Sequence, residues 1–387
     1  MPRRLTIVIE ALDRGGAEWH LLQVLPRLLG RGFDVEVFCL HHRGELANEM
    51  ERRGVRVLGV DTGPSKHLFL RVGGLLFRSI ILLAHLIRTR PDIVHFFLPA
   101  AYILGTPASV LSRCRIRLMS RRSQNRYQAQ IFGTNFIERQ WHRRMSAVIG
   151  NSRSVVRQLS GEGVPDSKLH LLYNGVDLPV FGTQMSERTA RDRLGLSNSA
   201  LVFVIVANLI PYKGHRDLLR AFARIKDQLP QNWILLCAGR DDGIGAALQD
   251  SVEELGLTQR VHWLGSVKDV SSLLAAADVA LLTSHEEGFS NAIIEYMATG
   301  LPSIVTNVGG NPEAVLHNET GLVVPPRDSA SLAEAILRLA ENPELRRQLG
   351  AAARQRVYQH FSLEACVDNY VRLYSQILRD HGIDWRG

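Results

Sequence analysis

The chain has 387 residues, 45% of them apolar and 22% charged, a balance that excludes a disordered, collagen-like or coiled-coil chain. At roughly 100–200 residues per domain, the length predicts two domains, with three as the alternative. The formal net charge of +8 is unevenly placed: residues 1–180 hold 26 Lys+Arg against 14 Asp+Glu, and the remainder 20 against 24.

Met1-Pro2-Arg3-Arg4 is basic, but the apolar run behind it is short, interrupted by Glu10 and ended by Asp13-Arg14. It reads as a first strand and not as a signal peptide. Strands are expected at 5–11, 34–40, 55–60, 92–97, 115–120, 147–151 and 169–173, with helices between them. Several are continuous apolar runs, as in parallel strands buried on both faces. Residues 68–87 are mostly apolar but carry Arg71, Arg78 and two glycines, whereas a spanning helix needs about 20 nearly uncharged residues. The favoured reading is a helix packed on a sheet; the alternative is a helix dipping one face into a membrane surface. Arg113, Arg115, Arg117, Arg121, Arg122 and Arg126 cluster, followed by Arg139, Arg143 and Arg144. Such a face attracts phosphorylated substrates, anionic headgroups or nucleic acid, against the plainer alternative of a solvated surface.

Residues 178–200 carry Pro, Gly, Ser and charges and read as the passage between domains. A second series follows at 201–207, 233–238, 261–264, 278–283, 303–306 and 321–324, and the chain is then helical to its end, the last helix carrying an apolar stripe near 362–380. Two consecutive strand–helix series imply two doubly wound α/β domains. Cys39, Cys114, Cys237 and Cys366 form no CxxC pair, so no disulfide framework or zinc ribbon is expected and a reducing compartment is the default.

The chemistry concentrates in residues 278–326. A buried strand leads into the loop Ser284-His285-Glu286-Glu287-Gly288-Phe289. Ser290 is placed to cap a short helix, 291–299, closed by Gly300. Strand, glycine-containing loop and helix is the layout that seats a phosphate on the amides near Asn291, Ala292 and Ile293, aided by the helix dipole. Glu287 lies eight residues before Glu295, and Asn291 and Glu295 share a helix face. A carboxylate on such a helix can reach a ribose diol; alone, Glu295 would read as a solvated helix residue.

The run from Glu287 to Pro326 strongly resembles glycosyltransferase family 4, the retaining, nucleotide-sugar-dependent enzymes of the GT-B fold. It matches in the two carboxylates, Gly300-Leu301-Pro302, Gly309-Gly310, Pro312-Glu313 and Thr320-Gly321. The resemblance extends to Gly15-Gly16-Ala17-Glu18, Asn151-Ser152, Tyr173-Asn174-Gly175-Val176-Asp177 and the lysine loop Ile210–His215. It implies an α/β GT-B fold of two Rossmann-like domains facing a cleft: an acceptor domain, 1–180 with helix 363–387 crossing back to it, and a donor domain, 181–362. It implies a hexosyltransferase-type enzyme that uses a UDP- or GDP-linked sugar and no metal. Glu295 would hold the ribose. Lys213, Gly15, Gly16 and the amides of Asn291 and Ala292 would hold the diphosphate. Glu287 and the backbone of Gly288, Phe289 and Ser290 would hold the sugar, with Glu287 also stabilising positive charge at the anomeric carbon.

Two positions depart from the family pattern. Asn208 stands where an arginine commonly shares the phosphates with the lysine, so Lys213 would carry more of the load or the Arg121-Arg122 pair would compensate. Phe97 stands where a His-x-His motif commonly has its second histidine, leaving His95 either catalytic or a satisfied strand-end residue. Asp241-Asp242 reads as loop chemistry, and the histidines show no zinc spacing. The basic first half suggests a glycan or lipid-linked acceptor of surface-polysaccharide or lipopolysaccharide assembly, an anionic membrane surface as a further partner, and a cytoplasmic enzyme on the inner face of the membrane. The rivals are a GT-B nucleotide-sugar 2-epimerase, a catalytically inactive homologue, a Rossmann dehydrogenase and a nucleic-acid-binding protein. The dehydrogenase lacks GxGxxG after any strand, and the nucleic-acid binder lacks any recognition motif, so no nucleic-acid partner is expected.

Overall fold

The computed structural model describes residues 2–59, 68–124, 134–182 and 185–383. Val60, at the end of an expected strand, and Arg126 lie outside them. The chain divides into two compact units, Met1–Gly175 with Leu363–Gly387, and Val176–Ser362.

The first unit holds a parallel sheet of seven strands: β1 (Arg3–Ile9), β2 (Phe33–Cys39), β3 (Arg56–Gly59), β4 (Ile93–Phe97), β5 (Ile116–Arg121), β6 (Ala147–Gly150) and β7 (Leu169–Leu171). Their spatial order is β3-β2-β1-β4-β5-β6-β7. The apolar strands are buried because helices cover both faces. The helices Gly16–Leu29 and Leu363–Asp380 close one face, where Tyr370 and Tyr374 join the core of β1, β2 and β4. The helices Leu68–Thr89 and Pro99–Leu111 close the other. No helix among the described residues is long and apolar enough to cross a membrane.

The second unit holds six parallel strands: β8 (Val202–Val206), β9 (Ile234–Ala238), β10 (Val261–Gly265), β11 (Val279–Leu282), β12 (Ser303–Thr306) and β13 (Gly321–Val324). Their order is β10-β9-β8-β11-β12-β13. Each sheet therefore reverses direction once, between β1 and β4 and between β8 and β11.

Residues 178–200, read from sequence as the passage between domains, hold two short helices, Leu178–Gly182 and Glu187–Arg193, within the second unit, whose bounds begin at Val176. Arg191, buried, anchors the second of these by donating to Asp278 Oδ2 at 2.8 Å and to Ala276 O at 3.1 Å. The polar composition misled because one arginine inside it is a buried tether and not a solvated charge.

The arginine cluster is also not one solvated face. Arg121 is 1% exposed and paired inward with Glu138 and Glu162. Arg117 donates to the Arg144 and Cys114 carbonyls, and Arg122 to Asn174 Oδ1. Arg113, Arg115, Arg139, Arg143 and Arg144 remain exposed.

Candidate active site

In an open parallel sheet, ligands bind beyond the carboxyl ends of the strands where the strand order reverses. In the second unit that point lies between β8 and β11. After β8 the chain makes a tight turn, Pro211–Lys213, ended by Gly214 in the left-handed region (φ 73°). A Cβ on Gly214 would sit 2.0 Å from Thr283 O, so glycine alone lets this turn press against the end of β11.

That contact places Lys213 against the loop after β11. Lys213 Nζ donates to Glu287 Oε1 at 2.5 Å, and Ser284 Oγ donates to the same oxygen at 2.7 Å. Burial alone would lower the Lys213 pKa, but the Glu287 carboxylate outweighs it and the net shift is upward. The ammonium also lies 5.5 Å from the Tyr212 ring centroid. Behind the loop, Gly309 adopts φ 53°, where a Cβ would fall 1.8 Å from Glu287 O, and Gly310 N donates to Gly288 O at 2.8 Å. The glycine pair thus braces the Glu287 backbone.

The helix Asn291–Thr299 starts at this loop. Ser290 is its N-cap residue, but its hydroxyl makes no capping hydrogen bond. The first-turn amides, including those of Ala292 and Ile293, have no acceptor within the helix itself, and the dipole makes this end attractive to an anion. Glu295, one turn beyond Asn291, is partly buried, and desolvation pushes its carboxyl up to about 7. Phe289 turns inward, buried, with its ring 5.2 Å from that of Phe361, so only its backbone can face a ligand.

Asn208 is engaged by the neighbouring loop. Its Nδ2 donates to Asp242 Oδ2 at 3.1 Å and its Oδ1 accepts from Arg240 N at 3.2 Å. Arg240 Nε in turn donates to Asp242 Oδ1 at 2.6 Å. Asp241 accepts from the amides of Gly243, Ile244 and Gly245 at 2.9–3.0 Å, capping the helix Gly245–Glu254. The sequence reading gave no role to Ser284, Tyr212 or Arg240, because their contacts depend on which loops meet; Ser284 and Tyr212 already stood in the loops that carry Glu287 and Lys213.

The first unit corrects two expectations. His95 is fully buried, with Nδ1 2.8 Å from Tyr374 Oη and Nε2 2.8 Å from Ser120 Oγ. Both nitrogens are taken by the core, and desolvation, aided by the Arg122 charge, holds the imidazole down at about 3. It is a core histidine, with no nitrogen to offer a substrate. Arg121 cannot compensate for Asn208, because it is locked between two buried carboxylates. Gly15 and Gly16 open the helix Gly16–Leu29, and the Glu18 carboxylate folds back over Gly15, where a Cβ would lie 2.3 Å from its Oε2. Burial raises the Glu18 pKa, with Asp13 and Glu10 adding to it.

The chain thus holds two doubly wound parallel sheets, an α/β fold like that of GT-B glycosyltransferases, with a cation, a helix amino end and two carboxylates at the reversal point of the second. The family model for glycosyl transferases group 1 matches residues 186–356, and that for Glycosyltransferase Family 4 matches residues 14–179. The chain belongs to this glycosyltransferase family and is an enzyme. It is 30% identical over 229 residues to the N-acetyl-alpha-D-glucosaminyl L-malate synthase of Bacillus anthracis, a match covering 59% of each chain. It is 27% identical over 399 residues to the D-inositol 3-phosphate glycosyltransferase of Streptomyces scabiei, covering 95% of this chain and 88% of the relative. The fold is similar to that of Anabaena Alr3699/HepE, solved with UDP and glucose (TM-score 0.82, 22% identity, 97% of this chain and 100% of the other). It is also similar to a sucrose-phosphate synthase from Thermosynechococcus elongatus (TM-score 0.81, 23% identity, 98% and 100%).

Proposed function

We propose that this enzyme transfers a sugar, with retention of anomeric configuration and without a metal ion, from a UDP- or GDP-linked donor to a lipid-linked or surface-polysaccharide acceptor. The observation that carries this reading is the juxtaposition of Lys213, Glu287 and the helix bearing Glu295. Lys213 and the first-turn amides neutralise charge on the departing diphosphate as the anomeric C–O bond breaks, the electrostatic role of an oxyanion hole. Ionised Glu295 accepts from the ribose hydroxyls. Glu287, held by Ser284 and Lys213, faces the sugar and stabilises positive charge at the anomeric carbon. The acceptor oxygen then bonds to that carbon on the face the diphosphate leaves, and its proton passes to the departing diphosphate oxygen.

The UDP bound in the Anabaena structure supports a UDP-linked donor. The solved relative WaaG, a glycosyltransferase involved in lipopolysaccharide biosynthesis, and the basic first half of this chain support a surface-glycan acceptor at the inner face of the membrane. The test is a thermal-shift screen against UDP, GDP, ADP and their sugar conjugates, with and without EDTA. A shift with one nucleotide, insensitive to EDTA and lost in Glu295→Ala, is expected. A shift that disappears with EDTA overturns metal independence, and no shift with any nucleotide overturns the donor site.

A further inference from the structure

The helix Thr134–His142 is turned inside out. Glu138 and His142 are 0% and 1% exposed, whereas Phe136 and Ile137 are 68% and 40% exposed. An amphipathic surface helix does the reverse. Its orientation is enforced from within: Arg121 donates to Glu138 Oε2 at 2.7 Å and to Glu162 Oε1 at 2.5 Å. His142 lies 3.2 Å from Glu162 Oε2 and 2.9 Å from Tyr102 Oη. Glu138, His142 and Glu162 are close enough to hold a metal, but the Arg121 guanidinium already fills the cation's place. Rolling the helix to bury Phe136 would strand these buried charges, so the apolar side chains stay outside.

The helix Leu68–Thr89 repeats the pattern. Phe77, Ile80, Ala84 and Ile87 are exposed at a spacing that forms one stripe along its outer face, while Leu82 and Leu86 are fully buried. Both helices pack beside Pro99–Leu111 in the layer over one face of the first sheet. The three helices contain one carboxylate, Glu138, and it is buried. Arg88, Arg113, Arg115 and Arg143 are exposed on this layer or just past its helix ends.

We propose that this helical layer docks on an anionic lipid bilayer. Phe77, Ile80, Phe136 and Ile137 enter the acyl boundary, and the flanking guanidiniums meet headgroup phosphates. An apolar stripe lying along a helix, edged by cations and free of exposed carboxylates, fits that boundary. Nucleic acid would use the cations but not the apolar side chains. The inference rests on the lipid-linked acceptor reading for its purpose, but the surface is argued from its own side chains.

The test is co-sedimentation of the whole protein with vesicles of phosphatidylcholine containing one-third phosphatidylglycerol, and with pure phosphatidylcholine. The variants are Phe77→Gln/Ile80→Gln, Phe136→Gln/Ile137→Gln and Arg88→Gln/Arg143→Gln. All change exposed side chains, so melting temperature and UDP binding should stay as in the parent. The parent is expected to bind the anionic vesicles about tenfold more than neutral ones, and each variant to lose about tenfold or more. The apolar variants should lose binding even in high salt, where the charge variant no longer differs from the parent. Parent absent from anionic vesicles, or apolar variants binding like the parent, overturns the proposal. A parent dimer in solution that the apolar variants convert to monomer also overturns it, making a second copy the occupant. Transfer to a soluble acceptor analogue, measured alongside, separates the readings: transfer there but none to a lipid-linked acceptor rejects the acceptor reading while vesicle binding still stands.

Discussion

Lys213 Nζ and Glu287 Oε1, 74 residues apart in sequence, lie 2.5 Å apart. The cation assigned to the diphosphate and the carboxylate assigned to the sugar are ion-paired. On the proposed reading, donor binding divides the ammonium between an internal carboxylate and an incoming phosphate. Lys213→Ala should weaken UDP binding by about 10–100-fold, the worth of one charge-assisted contact. Glu287→Gln should leave UDP affinity unchanged or improved while transfer slows by about 100–1,000-fold. Calorimetric titration and initial rates check both. Equal losses of UDP affinity in the two variants would mean that Glu287 serves the diphosphate by holding Lys213 in place, and would sink the assigned roles.

Desolvation raises the Glu295 carboxyl from the ordinary 4.5 to about 7 in the folded enzyme. Its folded pKa is raised, so the stability linked to its protonated form is full below about 4.5 and is lost as pH rises through 7. Glu295→Gln should remove that slope, raising stability at pH 8 relative to the parent by at most about 3 kcal/mol. In the role proposed for it Glu295 accepts from the ribose in its ionised form, so parent UDP affinity should rise about tenfold between pH 6 and 8. Denaturant titrations and calorimetry at several pH values check both, and a flat UDP affinity in the parent would remove Glu295 from the ribose.

His95 should behave as a core residue. Removing it leaves Tyr374 Oη and Ser120 Oγ facing a gap, each lost partner costing about 1–3 kcal/mol. Its folded pKa is depressed to about 3, so its contribution is present above about 6.5 and is lost as pH falls through that range toward 3. His95→Gln should lower the melting temperature but keep kcat and KM per folded molecule near the parent's. A kcat loss of 100-fold or more in a folded variant would restore the catalytic assignment.

Gly309→Ala tests the brace behind Glu287. A left-handed alanine costs about 1–2 kcal/mol, and its Cβ must displace the Glu287 carbonyl. The melting temperature should fall by several degrees. The transfer rate should fall more than UDP affinity, because Glu287 moves while the helix bearing Glu295 does not. Equal losses in rate and affinity would show that the brace serves the diphosphate.

The amino-acid order by itself determined the parallel strands, because runs such as Val202–Val206 are apolar throughout and can only be buried on both faces. It also placed Glu287, Gly288 and Glu295 in one strand–loop–helix segment, because their spacing is local. Tertiary structure alone decided what the isolated residues do. His95 reads from sequence as either catalytic or core, and Tyr374 and Ser120, on other elements, occupy its two nitrogens. Arg121 read as a surface cation until helices from further along the chain brought Glu138 and Glu162 to it. Lys213 and Glu287 became a pair only because Gly214 admits a backbone contact with Thr283. A short-range pattern reports periodicity and turn chemistry, whereas the partner of a charge depends on which distant segment folding places within a few ångströms of it.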